Sequence, residues 1–166
     1  MIDFKNGTEL LRLCQEKHLP ISEIMKAREC DLAETTEREV ITKMKKVLEI
    51  MKSSAKTPIA QPRPSMGGLI GGEAQLVSQH LLAGKSLCGS LLSRAISYAL
   101  AVLESNSSMG LIVAAPTAGS SGVVPGVLLS LQEEYGLSDD ALLPALFNAS
   151  AVGYLAMRNA TVAGAV

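Results

Sequence analysis

Ala114-Ala115-Pro116-Thr117-Ala118-Gly119-Ser120-Ser121-Gly122-Val123-Val124-Pro125-Gly126 decides how the rest of this chain is read. Glycines and prolines interrupt it, so neither a helix nor a strand continues through its whole length. From Ser105 to Gln132 there is no Asp, Glu, Lys, Arg or His. A loop of this kind offers backbone N–H groups and small hydroxyls with little side chain in the way, which suits a small anion such as a carboxylate. Loops normally run over the surface, so an uncharged one inside an apolar stretch is expected to be a site set in the core.

The sequence on either side of this loop is helical in pattern. Toward the C-terminus, Gly122 to Tyr135 reads as a helix with Pro125 in its first turn, where proline is tolerated. Ser138 is placed to cap a last helix running towards Asn159, with Asp139 and Asp140 at its positive end and Pro144 placed to kink it. Toward the N-terminus, helices are expected from about Leu87 to Leu103 and from Glu73 to about Leu82. Leu111-Ile112-Val113 is the one candidate strand, and it is short. The first third reads as three amphipathic helices: Thr8 to Lys17, Ile21 to Cys30, and a third capped by Thr35 or Thr36. The third carries Val40, Ile41, Met44, Val47, Leu48 and Met51 on one stripe.

With 48% hydrophobic but only 3% aromatic residues and no Trp, the core must be built from aliphatic side chains and close helix contacts. The chain is expected to be all-α, a multi-helix domain with two buried Gly/Ser/Thr-rich loops. Charge divides it into residues 1–57, charged amphipathic helices, and residues 58–166, an apolar helical part of the same domain. Between them, Pro58, Pro62 and Pro64 are expected to stop helix formation across the segment from Ser53 to Gly72. Met66, Leu69 and Ile70 mark the end of this segment as a second loop that packs back on the domain rather than a polar linker.

Several function classes are excluded. The net charge is −1, and Glu37, Glu39 and Glu49 interleave with Lys43, Lys45 and Lys46, so this helix face is solvated rather than a nucleic-acid patch. Pro116 and Pro125 break the uncharged run as a membrane span, and Ala141 to Met157 is shorter than a span and reads as a core helix. Gly67-Gly68-Leu69-Ile70-Gly71-Gly72 lacks the Gly-Lys-Ser/Thr ending of a phosphate loop. Cys14, Cys30 and Cys88 have no framework spacing and read as reduced thiols, which with the absence of a signal-peptide pattern implies a cytoplasmic protein. His18 and His80 are isolated. What remains is a pair of small-residue loops expected to face each other around a small anionic ligand.

Pro64-Ser65-Met66-Gly67-Gly68-Leu69-Ile70-Gly71-Gly72-Glu73, followed by Ala115-Pro116-Thr117-Ala118-Gly119-Ser120-Ser121-Gly122-Val123-Val124-Pro125, resembles the alpha chain of iron–sulfur-dependent L-serine dehydratase, in its N-terminal part. The resemblance implies a pyridoxal-phosphate-independent lyase that deaminates L-serine to pyruvate and ammonia in amino-acid degradation. It also implies a 4Fe–4S cluster that acts as a Lewis acid on the β-hydroxyl. Ser65, Met66, Gly67 and Gly68, with Thr117, Ala118, Gly119 and Ser120, match the family's substrate loops, although relatives often carry Asn where this chain has Ala118. The base that removes the α-proton is not assigned. The family's cluster cysteines lie in Gly-Cys-Gln and Cys-Asp-Pro motifs that do not occur here, so Cys14, Cys30 and Cys88 are not assigned as metal ligands. The chain is read as truncated, inactive alone and without a cluster of its own, its ligand cysteines expected beyond Val166. The implied partners are L-serine, a beta chain or domain and further copies of the chain, with no nucleic acid and no membrane. L-cysteine desulfidase and a non-catalytic helical binding module are the alternatives.

Overall fold

A computed structural model of the chain describes residues 2–160. Seven helices run along these residues, with no strand among them: α1 (Gly7–Lys17), α2 (Ile21–Ala33), α3 (Glu37–Ala60), α4 (Glu73–Leu82), α5 (Ser90–Ser107), α6 (Val123–Tyr135) and α7 (Asp139–Asn159). The short apolar run Leu111-Ile112-Val113 is irregular. Two compact units result. One holds α1, α2, α3 as far as Lys46, and α7; the other is Val47–Ser138. The compositional boundary at 57/58 falls inside α3.

The first unit closes around Phe4, Leu10, Ile24, Met25, Val40, Phe147 and Ala151. Its helix starts follow capping rules. Asn6 accepts the Glu9 N–H at 2.9 Å, and the Glu9 carboxylate accepts the Lys5 N–H at 2.7 Å, so two orphan donors at the head of α1 are satisfied. Thr36 accepts the Glu39 N–H at 3.4 Å at the head of α3. α7 supplies Leu142, Leu143, Leu146, Phe147 and Ala151 as buried residues. By length and composition alone it is also the one described helix that would cross a membrane, a test that core helices of soluble proteins pass.

One charged residue goes into this core. Arg28 is buried, its guanidinium lies 3.8 Å from the centre of the Tyr154 ring, and its Nε donates to Asp3 Oδ1 at 3.0 Å. The Tyr154 hydroxyl donates to the same Asp3 oxygen at 3.2 Å. The Arg28 hydrogen bond, aided by those of Phe4 and Tyr154, holds the Asp3 carboxyl below the usual aspartate range although burial opposes it. A carboxylate depressed in the folded state stabilises fully above its unfolded pKa and loses that contribution as pH falls through its folded value. Acid titration of stability should therefore show a loss beginning below about pH 4 that Asp3→Asn removes, as read by urea unfolding across pH.

The second unit is built on α5. Ala74 of α4 meets one face of it: the Ser97 hydroxyl donates to the Ala74 carbonyl at 2.8 Å, and Glu104 Oε1 accepts the Ala74 N–H at 2.8 Å. α6 meets another face through glycine. A Cβ at Gly122 would lie 2.5 Å from the Ala99 carbonyl oxygen, and one at Gly126 would lie 2.8 Å from that of Ala95. Ser97 and Ala99 are about half a turn apart at ~3.6 residues per turn, so α4 and α6 flank α5 on roughly opposite sides. Lys56, Arg94 and Tyr98 converge on Glu133, at 2.7, 3.5 and 2.7 Å respectively.

Pro58 does not stop α3, which continues to Ala60. A proline inside a helix leaves the carbonyl four residues earlier without its donor. Here that carbonyl belongs to Ser54, and the Ser105 hydroxyl of α5 donates to it at 2.9 Å. Tertiary packing thus supplies the bond that the sequence removes, a remedy invisible to any local rule. Ser105→Ala should cost about 1–2 kcal/mol in chemical denaturation, because both groups are buried and the carbonyl would be left unpaired.

Candidate substrate loops and the family of the chain

The first loop is a closed bend. The Ser65 N–H donates to the Ile70 carbonyl at 2.8 Å, the Gly68 N–H to the Ser65 carbonyl at 2.9 Å, and the Ile70 N–H to Ser65 Oγ at 3.3 Å. The Met66 N–H donates to the Ser107 carbonyl at 3.0 Å and so pins the bend to the end of α5. Gly71 follows at φ 142°, where a Cβ would meet the Arg63 carbonyl at 2.5 Å, so only glycine fits. Its N–H donates to the Glu73 carboxylate at 2.7 Å.

The second loop is knotted by its hydroxyls. The Ser120 hydroxyl donates to the Ala115 carbonyl at 2.9 Å, accepts the Thr117 N–H at 3.2 Å and lies 3.0 Å from Thr117 Oγ1. The Ser120 N–H donates to Thr117 Oγ1 at 3.3 Å, and the Ser121 hydroxyl to the Ala118 carbonyl at 2.6 Å. The Ala115–Pro116 peptide is cis. Ser121, Gly122, Pro125 and Gly126 anchor the loop in the unit, while Pro116, Ala118 and Gly119 are exposed.

Two consequences follow for the expected site residues. Thr117 and Ser120 meet, but their hydroxyls shape the loop, and the Ser120, Ser121 and Val123 N–H groups donate within it, so among the described residues the N–H groups of Gly119, Gly122 and Val124 are those left for a ligand. The geometry favours an anion: α6 starts at this loop with no side-chain cap at Gly122 and no acidic residue in its first turn. The positive end of its dipole is therefore uncompensated within the helix.

The expectation of two buried loops is corrected. Met66 is 80% exposed and Leu69 89%, and Gly67, Gly68, Ala118 and Gly119 are exposed with them. Among the described residues the hydrogen bonds of each loop stay within it or run to a neighbouring helix, and α5 stands between the helices they precede. An exposed loop can leave backbone groups to water, so lack of charge alone does not require burial.

Sequence reasoning missed Glu104. It is 3% exposed, and its Oε2 is the buried side-chain oxygen without a hydrogen-bond partner among the described residues. The signal was available: between Arg94 and Glu133 it is the only charged residue. It lines a cleft of about 110 Å³ together with Thr57, Gln61, Arg63, Ser105 and Ser108.

The residues present do not fit an iron–sulfur cluster. Cys14 and Cys30 are half-buried in the first unit, Cys88 is exposed in the second, and no group of three or more His, Cys, Asp or Glu comes together among the described residues.

Comparison with known proteins gives the family of the chain. The family model described as serine dehydratase alpha chain matches residues 16–166. The probable L-serine dehydratase alpha chain of Bacillus subtilis (strain 168) is 36% identical over 162 residues, covering 98% of this chain and 54% of that protein. The L-serine dehydratase alpha chain of Peptoniphilus asaccharolyticus is 32% identical over 157 residues, covering 95% of this chain and 54% of its own length. The L-serine dehydratase of Helicobacter pylori (strain ATCC 700392 / 26695) is 32% identical over 174 residues, of which this chain spans 36% of the full protein. The chain thus spans about half the length of the first two relatives. With two small-residue loops in the expected order and a family match over most of its length, the chain belongs to the serine dehydratase alpha chain family.

Proposed function

We propose that this chain supplies the substrate-carboxylate site of an L-serine dehydratase, a lyase that converts L-serine to pyruvate and ammonia. One observation carries the proposal. The Thr117–Ser121 loop leads into the uncapped, acid-free N-terminus of α6. Backbone N–H groups at such an end bind a carboxylate without a positive side chain. Ser65 to Gly68, pinned to α5 through Ser107, are the other candidate substrate loop, and no hydrogen bond among the described residues joins it to the Thr117–Ser121 loop. On this reading, Thr117 and Ser120 hold the loop in its binding shape. The glycines let the substrate approach the backbone, and Ala118 makes no side-chain hydrogen bond to substrate.

The work of this chain is binding and orientation. A serine fixed by its carboxylate presents its α-proton and β-hydroxyl to groups outside the chain in one geometry, which lowers the entropic part of the barrier. A 4Fe–4S cluster would supply Lewis-acid chemistry at the β-hydroxyl and would need ligands other than the residues described here. The proposed partners are L-serine, the beta chain or domain of the enzyme and further copies of the chain. Leu76, Leu82 and Leu87 offer apolar surface to such protein partners, being 64%, 84% and 99% exposed.

The test compares two proteins under anaerobic iron–sulfur reconstitution. Residues 1–166 alone should release no pyruvate from L-serine. The full-length alpha chain with its beta part should do so and show iron–sulfur absorption. Preference for L-cysteine with sulfide release would assign a desulfidase instead. Absence of both turnover and colour in the full-length protein would leave a binding module.

A further inference from the structure

The middle of α5 is uncharged on every side, yet one side of it is bare. From Ala95 to Leu103 it carries no charged residue, and neither does α6 from Val123 to Gln132. A helix that is apolar all round belongs in an interior. Three sides of α5 are covered. Ala95 and Ala99 meet Gly126 and Gly122 of α6, and Ser97 and Glu104 meet Ala74 of α4. Tyr98, Ala101, Val102 and Ser105 are buried, and the Ser105 hydroxyl donates to the Ser54 carbonyl of α3. On the fourth side Leu92, Ile96 and Leu103 are all exposed, and at ~3.6 residues per turn they fall within about 40° of one another. Val123 and Val127 of α6 are exposed too, and each follows a glycine that touches α5, so they border the stripe. α4, α5 and α6 therefore make one layer, covered by α3 on one side and open on the other. A helix layer with apolar residues on both faces needs a further layer on each.

The open side reaches the candidate loops. α6 runs antiparallel to α5, since Gly122 lies by Ala99 and Gly126 by Ala95. So does α4: its first turn lies by Ser97 and Glu104, while His80 and Leu81 share a hollow with Ser93. Both helices thus begin toward the Leu103 end of α5. The two small-residue loops stand there, one on each side, and the Met66 N–H on the Ser107 carbonyl fixes the first of them. Neighbouring helix axes lie ~8–10 Å apart, so the groove across α5 from α4 to α6 accepts one helix of ~10 Å diameter.

We propose that the open side of the α4–α5–α6 layer is the seat of a helix from the remaining part of the alpha chain, which packs on Leu92, Ile96 and Leu103 and closes the gap between the two loops. This rests on the assignment of the loops to an L-serine dehydratase site. Two observations select that occupant. The Bacillus subtilis and Peptoniphilus asaccharolyticus alpha chains match 98% and 95% of this chain but only 54% of their own length, so those relatives carry nearly as much chain again. A second copy of residues 1–166 brings to the gap only residues that this chain already has, and no group of three or more His, Cys, Asp or Glu comes together among those described. The groups that act on the α-proton and β-hydroxyl come from elsewhere, and a helix of the same polypeptide delivers them without a separate association step.

Thiol labelling of the full-length alpha chain tests this without reference to turnover. Ile96→Cys places a thiol in the middle of the stripe, and Leu32→Cys places one on an exposed position of α2 as reference. After maleimide treatment, peptide mass spectrometry reads each site apart from the natural cysteines. In the full-length alpha chain the Ile96→Cys site should react at least about 10-fold more slowly than the Leu32→Cys site, because labelling waits for local opening. In residues 1–166 the two should react about equally, with thermal unfolding as the check that this part is folded; if it is not, the full-length comparison alone decides. Ile96→Glu gives a second readout: it should lower the melting temperature of the full-length alpha chain by roughly 5 °C or more and that of residues 1–166 by less than about 1 °C. Equal labelling of both sites in the full-length alpha chain overturns the inference, as does protection that appears only when the beta part is added. Protection in residues 1–166 that is lost on dilution, with a dimer on sizing, assigns the face to a second copy and overturns it too. Protection in a full-length alpha chain that releases no pyruvate from L-serine supports the seat and overturns only the proposed function.

Discussion

Gly122→Val should cost at least about 3 kcal/mol and lower the melting temperature of the chain by roughly 10 °C. The reason lies in what the new side chain meets. At Gly122 the first carbon alone would sit 2.5 Å from the Ala99 carbonyl oxygen and 3.0 Å from its Cα, both backbone atoms of α5. Backbone inside a helix cannot rotate away as a flexible side chain would, so α5 and α6 must separate. Leu129 of α6 and Val102 of α5 are each 1% exposed, so separation would open a packed interior. Because a domain of this size retains only about 5–15 kcal/mol in all, the loss is a large share of its stability. Gly153→Ala is the matched control. Nothing lies within 4 Å of a Cβ there, and Gly153 is inside α7. It should raise stability by about 0.5–1 kcal/mol through helix propensity. Differential scanning calorimetry of the two variants reads both signs.

Gly119→Asp should separate stability from function. Only Thr117 Oγ1, at 3.9 Å, lies near a Cβ at this exposed position, so an aspartate fits without displacing backbone. Its charge falls near the positive end of α6, which has no acidic residue of its own in the first turn. Stability should therefore hold or rise by about 0.3–1 kcal/mol. The same charge occupies the field that the proposed function reserves for the substrate carboxylate. In the assembled enzyme, kcat/KM for L-serine should fall by about 100-fold or more, on the order of 3 kcal/mol of lost substrate binding. Gly119→Asn, uncharged and of similar size, should cost far less. Steady-state kinetics with melting curves of the three proteins measures the contrast. A loss shared equally by Asp and Asn would mean that shape, not charge, governs the loop.

These two positions show what the sequence displays and what it conceals. α4 is legible end to end from Glu73 to Leu82, because an apolar stripe starts right after a glycine pair and ends before Gly84. α6 is legible because Pro125 is permitted in a first turn. α5 begins at Ser90 rather than about Leu87, since Gly89 takes φ 79°. Pro58 misleads, since the bond that rescues Ser54 comes from Ser105, 51 residues away. The loops are legible as loops, from their glycine and hydroxyl content. Their exposure is not, because absence of charge is equally compatible with a buried site and with an open one. Glu104 was visible as a solitary acid in an apolar run, but its burial depends on Ala74 arriving beside it, which is a fact of tertiary structure.

The most direct measurement is a structure of the assembled enzyme with L-serine or an unreactive analogue bound. The account predicts the ligand carboxylate within about 3 Å of backbone nitrogens between Gly119 and Val124, at the head of α6, with no arginine or lysine of this chain required to hold it. A carboxylate paired with a basic side chain elsewhere, and the Thr117–Ser121 loop facing only solvent or protein, would contradict it.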